Sequence, residues 1–261
     1  MLNNKKLVLM FVLSLFLIAC NGAEEKINVP ALIENGKVEI AGHSFDLFYE
    51  SVTTYKYDGE NMVEQLDKRQ KVLAFYDGET LNKHEVYSSN SDKLYATTYY
   101  TYDSDGKEIR KETVVDQTKD KLYQTISYDN NYKEISYYDK NDELISVGTI
   151  ELNDKQQMVK STSKSKDGIV EGVSYYKYED DKLIFYQLTG DHGVTREIYY
   201  KYNEYGDQIA VIAITFIGRK SLDATYYDNE YDDLKLVRQT GYKVYAELDE
   251  EQINDIVKSL K

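Results

Sequence analysis

Three histidines (His43, His84 and His192), one cysteine (Cys20) and a surplus of carboxylates are the groups in this 261-residue chain best equipped for catalysis or metal binding. No His stands at metal-ligand spacing to another His or to Cys20, so each reads as a solvated or turn residue, His192 within Gly190-Asp191-His192-Gly193. A single Cys excludes a disulfide framework and a multi-Cys zinc site. There is no Gly-x-Ser-x-Gly elbow and no Gly-rich phosphate loop ending in Lys-Ser or Lys-Thr. With 46 Asp and Glu, acid pairs are so common that none stands out as a general acid and base. Asp103-Ser104-Asp105-Gly106-Lys107-Glu108 begins like a calcium loop but lacks the third acidic position before Gly106 and the distant Glu. It reads as a turn, with weak calcium binding as the alternative. No catalytic residue, metal or cofactor is expected, and an acid-pair hydrolase would rest on carboxylate abundance alone. The remaining abundant group is the phenol: 27 Tyr beside seven Phe and no Trp.

Composition narrows the partners. The net charge of −14 opposes nucleic acid, which needs a Lys/Arg surplus against phosphate. A 30% charged chain with mean hydropathy −0.61 is too polar for a bundle of membrane-spanning helices. Only the N-terminus is apolar. Lys5 and Lys6 precede an almost unbroken apolar run from Leu7 to Ala19, too short to span a bilayer comfortably, so residues 1–19 read as a secretory signal peptide. Its removal takes two Lys and no acid, leaving the mature chain near −16, that is −14 minus 2.

The run ends Leu17-Ile18-Ala19-Cys20, which resembles the bacterial lipobox. The resemblance implies cleavage between Ala19 and Cys20, acylation of Cys20, and a membrane partner held through lipid. Two or three acyl chains hold stably where one does not, at about 0.8 kcal/mol per buried CH₂. Asn21, where an Asp would imply inner-membrane retention, implies a lipid-anchored protein of the outer membrane. Residues 20–36 then form the lipidated N-terminus and a polar tether that holds the only Pro, Pro30.

The rest of the chain is repetitive. Turn clusters recur about every 10–14 residues, the spacing of an all-β meander. They include Asp58-Gly59, Asp77-Gly78, Asn90-Ser91-Asp92, Asp103 to Gly106, Asp129-Asn130-Asn131, Asp139 to Asp142, Asn153-Asp154, Asp180-Asp181, Asn203 to Gly206 and Asp228-Asn229. Asp, Asn and Gly suit these positions because they tolerate positive φ. Between them lie runs rich in Tyr, Val, Ile and Thr in which residues two apart share a face. In Tyr175-Tyr176-Lys177-Tyr178, Tyr176 and Tyr178 face one way, Tyr175 and Lys177 the other. Every second turn is marked more strongly, by Tyr99-Tyr100-Thr101-Tyr102-Asp103, Tyr175 to Glu179 and Tyr199-Tyr200-Lys201-Tyr202-Asn203, with weaker copies at Tyr55 to Asp58, Phe75 to Asp77, Ile126 to Asp129 and Tyr226 to Asp228. The long period of about 25 residues is one β-hairpin, a unit that needs neighbours to bury its face.

Tyr100 to Ile109 and Tyr200 to Ile209 resemble the YD repeat of RHS-type bacterial proteins: Tyr-x-Tyr-Asp, two residues, Gly, a polar residue, an apolar one. In that family long arrays wind into a β-shell, and the motif implies no catalysis. The likeness extends over roughly residues 50–235, with Asn203 in place of Asp and the Gly lost near Asp129 and Glu179. In plan, the chain is also similar to spirochaete outer surface lipoproteins.

The expected architecture is therefore all-β: a repetitive antiparallel meander of hairpins over residues 37–246, forming an open or curled extended sheet. A short amphipathic helix at residues 247–261 should close one end of it. There Asp249 can cap and Leu248, Ile253, Ile256, Val257 and Leu260 share a stripe. Ile209 to Ile214 is apolar on both faces and should be covered on both. Tyr has high strand propensity and pairs well across strands, so most of the 27 serve the sheet. Tyr100, Tyr102, Tyr176, Tyr178, Tyr200 and Tyr202 form the candidate face for contact with a protein or glycan. The function expected is non-enzymatic binding by a lipid-anchored envelope protein. The alternatives are a structural or shielding lipoprotein, or an immunity-type accessory to a toxin.

Overall fold

The structure, a computed structural model, describes residues 36–191 and 193–261. Ala19, Cys20, the expected signal peptide, the tether up to Asn35 and His192 lie outside the described residues.

A small hairpin comes first, β1 (Lys37–Ile40) paired with β2 (His43–Asp46). Sixteen strands follow as one up-and-down meander. They are β3 (Phe48–Asp58), β4 (Asn61–Leu66), β5 (Gln70–Asp77), β6 (Thr80–Ser88), β7 (Leu94–Tyr102), β8 (Glu108–Val115), β9 (Lys121–Asp129) and β10 (Tyr132–Tyr138), then β11 (Leu144–Leu152), β12 (Met158–Ser165), β13 (Val170–Glu179), β14 (Lys182–Gly190), β15 (Gly193–Tyr202), β16 (Gln208–Thr215), β17 (Ser221–Asp232) and β18 (Lys235–Glu247). The chain ends in helix α1 (Glu250–Leu260).

The meander is antiparallel, as its turns predict, but it is not an open sheet: β3 pairs with β18 and the sixteen strands close into a barrel. Closure removes the two bare edges that an open sheet would present to other chains. It depends on twist summed over sixteen strands and on the match of two long terminal strands, neither of which a local pattern displays.

The turns follow from local chemistry. In four of them, after Tyr102, Tyr138, Leu152 and Tyr202, the same loop recurs. Oδ1 of Asp103, Asp139 or Asn153 accepts the backbone N–H groups two and four residues on, at 2.8–3.0 Å, and Oδ1 of Asn203 accepts that of Asp207 at 2.9 Å. An amide oxygen serves as well as a carboxylate, which explains why Asn replaces Asp twice. The fourth loop residue has φ of +77° at Gly106 and +86° at Gly206, and Asp142 and Gln156 hold the same position at +64° and +61°. The loop thus survives the loss of its Gly at a cost of roughly 1 kcal/mol. The expected turn at Asp228-Asn229 does not form. β17 runs through it, because Asn229 donates to the Gln208 carbonyl (3.0 Å) and accepts from the Gln239 amide (3.0 Å) across the sheet. The chain reverses at Asp233-Leu234 instead. A further turn between β4 and β5, closed by Asp67 Oδ1 on the N–H groups of Arg69 and Gln70, was missing from the turn pattern.

Register carried round the ring sorts the wall into two faces. One holds Tyr55, Ala74, His84, Tyr100, Lys111, Ile126, Ile135, Ile150, Ser174, Tyr176, Tyr186, Ile198 and Tyr200. It is largely buried and faces inward. The other holds Lys56, Lys83, Glu85, Tyr99, Glu112, Lys160, Tyr175 and Lys177 and faces water. Inside, the apolar side chains gather in small clusters: Ile198, Tyr200, Val211 and Ala213; Ala74, Leu81 and Tyr100; Ile126, Ile135 and Ile150.

The main apolar cluster lies on the outside of β15–β18. There Ala210, Ile212, Ile214, Leu222, Ala224, Tyr226 and Val244 are covered by Ile253 and Ile256 of α1 and by Val38, Ile40 and Phe45 of the β1–β2 hairpin. The expectation that β16 is covered on both faces holds, with Val211 and Ala213 turned inward. The helix is a plaster on the wall rather than a lid on one end of the sheet. Asp249 caps it through a capping box with Gln252, and Glu250 and Glu251 occupy its first turn as the dipole favours.

Candidate functional site

Eight of the fifteen turns of the meander lie at one rim of the barrel, which the last inward side chain of each odd-numbered strand encircles. These side chains are Tyr57, Tyr76, Tyr102, Tyr128, Leu152, Tyr178, Tyr202 and Tyr231. The motif tyrosine therefore has a place: seven phenols and one leucine ring this rim. The hydroxyls of Tyr57, Tyr76, Tyr102 and Tyr128 donate to the carbonyls of Leu236, Met62, Leu81 and Glu108 at 2.9–3.2 Å. Each acceptor stands near the start of the preceding strand, so each phenol ties one hairpin to the next. Burial pushes the hydroxyls of Tyr57, Tyr102, Tyr128 and Tyr231 up to about 12. They stay protonated donors at any physiological pH. Lysines from the turns lie over ring faces at this rim: Lys107 near Tyr128 (5.3 Å to the centroid), Lys182 near Tyr202 (5.1 Å) and Lys235 near Tyr57 (6.0 Å).

Two recesses open at the tyrosine rim. One, of about 280 Å³, lies beside the position where Leu152 interrupts the ring and is lined by Tyr176, Tyr178, Asn153, Gln157 and Asp180, among others. Lys155 Nζ bridges to Asp181 at 2.5 Å and the Gln157 amide donates to the same carboxylate at 3.2 Å, so the turns on either side are braced. The other, of about 500 Å³, lies at the seam where β3 meets β18 and holds Tyr55, Tyr57, Asp232, Asp233 and Lys235.

Deeper in the barrel is a polar group that residue spacing did not reveal. Tyr100 Oη and His84 Nδ1 are 2.7 Å apart. Burial, with Lys111 nearby, depresses the imidazole to about 4, so it is neutral at pH 7. Glu108 is raised by burial, an effect opposed by Lys133 and Lys111. Both lysines are lowered, again by burial first. His84, Lys111, Glu108 and Lys133 stand on strands whose pairing joins β6 to β10, 49 residues apart in sequence, and no short motif links them.

The six tyrosines expected to form one face do share a face, and it is the inner one. Tyr100 and Tyr200 are only 7% and 2% exposed. Tyr102, Tyr176, Tyr178 and Tyr202 are half-buried at the rim. Of the six, Tyr176 and Tyr178 line a recess. The seam recess draws on Tyr55 and Tyr57, which the weaker motif copy Tyr55-Lys56-Tyr57-Asp58 already flagged. Among the described residues no cluster of three or more His, Cys, Asp or Glu is arranged for a metal ion.

The water-facing wall is charged and self-paired. Lys83 meets Glu85 at 2.7 Å, Arg110 and Lys121 meet Glu112 at 3.0 Å each, Lys56 meets Glu64 at 2.5 Å, Lys160 meets Glu151 at 2.5 Å and Arg238 meets Glu230 at 2.7 Å. Hydrogen bonds from Lys83 and Tyr87 hold Glu85 below the usual carboxylate range, and those from Lys121 and Arg110 do the same for Glu112. Exposed pairs of this kind contribute about 0–1 kcal/mol each, so their main effect is to keep the wall wet.

No family model matches the chain, and no curated protein matches it either. Solved structures of porin-like proteins from Bacteroides uniformis and Bacteroides vulgatus are similar over 77% and 76% of this chain and 98% of theirs. Their identities are 12% and 8%, and their TM-scores 0.31 and 0.33. A structure of TcdB2-TccC3 without its hypervariable C-terminal region is similar over 72% of this chain and 13% of that one, at 11% identity and a TM-score of 0.22. Likenesses this slight do not bear on function.

Proposed function

We propose that this protein is a lipid-anchored lipoprotein of the bacterial outer membrane. Its barrel stands in water beside the bilayer and binds a glycan or a protein segment, without catalysis, at the tyrosine rim. The observation that carries the reading is the polarity of the wall. A barrel that spans a bilayer presents apolar side chains outward, and a Lys or Arg at the midplane there costs roughly 2–4 kcal/mol. Here the outward face carries lysine, arginine and glutamate on strand after strand. Attachment must then come from outside the wall, and acylated Cys20 supplies it through the tether of residues 21–35. The recurrent tyrosine-turn loop supports reading the hairpins as degenerate YD repeats. The recesses combine aromatic faces with amides, carboxylates and lysine, a lining suited to hydroxyl-rich ligands.

The test is to place a site-specific protease sequence within residues 22–34 and cut isolated membranes. The expected result is release of the folded barrel into the supernatant, with the lipidated stub left behind. A cut barrel that stays in the membrane would overturn the reading.

A further inference from the structure

The two rims differ in chemistry. Take each turn from the last residue of one strand through the first of the next. The eight turns of the tyrosine rim then carry sixteen acidic and four basic residues, and the seven of the opposite rim carry nine of each. Most of the large apolar side chains that stand in water are also at the opposite rim, while the tyrosine rim exposes Tyr132, Tyr205 and Leu234. Phe48 (59% exposed), Tyr49 (63%), Tyr95 (55%), Ile145 (48%), Ile169 (67%) and Tyr245 (54%) all lie at strand ends or turns on that side. The wall between the rims is ion-paired. One end of the barrel is thus strongly anionic, and the other is neutral in net charge and richer in exposed apolar side chains.

The chain enters at the apolar end. The Gly36 carbonyl accepts the Leu47 N–H at 2.9 Å, and Leu47 leads directly into Phe48 at the start of β3. The fifteen residues from Asn21 to Asn35 are all that separate this point from Cys20, a reach of at most about 50 Å.

From this we infer that the rim carrying Phe48, Tyr49, Tyr95, Ile145, Ile169 and Tyr245 docks on the lipid surface, so that the barrel stands upright with its tyrosine rim and recesses held away from the membrane. The inference rests on the lipid anchor proposed above. Tyrosine and phenylalanine at a membrane–water boundary bury their rings among the headgroups, and tyrosine keeps its hydroxyl wet. The anionic rim is repelled by an anionic lipid surface, while the neutral rim pays no such penalty. The chain joins the barrel at the end that the charge asymmetry favours.

The natural chain has no Trp, so a single introduced Trp reports its own surroundings. Tyr95→Trp marks the apolar rim and Tyr205→Trp the tyrosine rim, both at exposed positions. The mature lipoprotein, carrying the protease site in its tether, is reconstituted on phosphatidylethanolamine–phosphatidylglycerol vesicles with brominated acyl chains. Quenching of about twofold at position 95 and little at 205 is the expected result. Equal quenching at both positions, or none at either, overturns the docking. Flotation with the vesicles before and after the tether is cut tests the anchor separately. If the uncut protein fails to float, the anchor reading falls, while quenching of the cut barrel at vesicle excess still decides the rim. Phe48→Ser with Tyr49→Ser, checked for an unchanged urea midpoint, should reduce quenching at position 95. If instead that pair converts a dimer to a monomer in gel filtration without altering quenching, the rim belongs to a second copy of the chain and the docking is wrong.

Discussion

Acidification from pH 7 to 4.5 should destabilise the barrel through one imidazole that the fold keeps neutral and the unfolded chain charges. His84 faces inward against Tyr100, with Lys111 close by, and burial before all else holds it at about 4 rather than its ordinary 6.5. The unfolded chain therefore binds a proton in the interval between these values that the folded chain refuses. The resulting stabilisation is fully present above about pH 6.5 and is lost progressively as the pH falls toward 4. At 1.36 kcal/mol per pH unit the part of this gap crossed by pH 4.5 is worth roughly 2–3 kcal/mol, the lower figure allowing for water that reaches the interior. Urea unfolding followed by circular dichroism, run from pH 7.5 to 4.5 on wild type and His84→Gln, isolates this residue from the many carboxylates. The difference in free energy between the two proteins should narrow or reverse by that amount as the pH falls, because only the wild-type unfolded chain then gains a proton that the folded ring refuses. A difference that stays flat across the interval, or widens, would refute the inward placement of His84 and with it the assignment of the two barrel faces.

Two further outcomes follow from the packing and the recess. Ile256→Ala empties a fully buried site beneath the helix and should lower stability by about 2–5 kcal/mol, read as a drop in urea midpoint at constant slope; a loss below 1 kcal/mol would mean that the helix does not seal the outer wall. Tyr176→Ala combined with Tyr178→Ala should weaken binding of the glycan or protein segment proposed for the tyrosine rim about tenfold in calorimetry, and unchanged affinity would remove the recess beside Leu152 from the binding site.

The hairpin meander was legible because its causes are local. Alternation in Tyr175 to Tyr178, the Asp-led turns and the stripe of the C-terminal helix each speak through neighbours in sequence. Alternation also tells that Tyr100, Tyr102, Tyr176 and Tyr178 share one face. It does not tell which face closure turns inward, because that is decided by β3 meeting β18. The polar group around His84 was hidden for the same reason, since its members stand on strands brought together by pairing rather than by spacing. Asp228-Asn229 misled because Asn suits both a turn and a cross-strand hydrogen bond, and here the second prevails. The β1–β2 hairpin escaped notice because four-residue strands with few apolar side chains give little periodicity, although Val38, Ile40 and Phe45 all reach the main cluster.

Closure at the β3–β18 seam also governs the order of events in folding. The fifteen other strand pairings of the barrel join neighbours in the chain and can form as hairpins within microseconds. The seam instead joins side chains 184 residues apart, as between Tyr55 and Gln239, so its loop-closure entropy exceeds that of a hairpin by roughly 3 kcal/mol. It is held by six backbone pairs, by the Tyr57 hydroxyl on the Leu236 carbonyl and by Lys235 on Gly59 and Glu60. The barrel therefore zips along its length first and latches last. Until it latches, β3 and β18 are open edges able to capture a neighbouring chain, which makes the seam the point where crowding would divert folding into linked, strand-sharing chains.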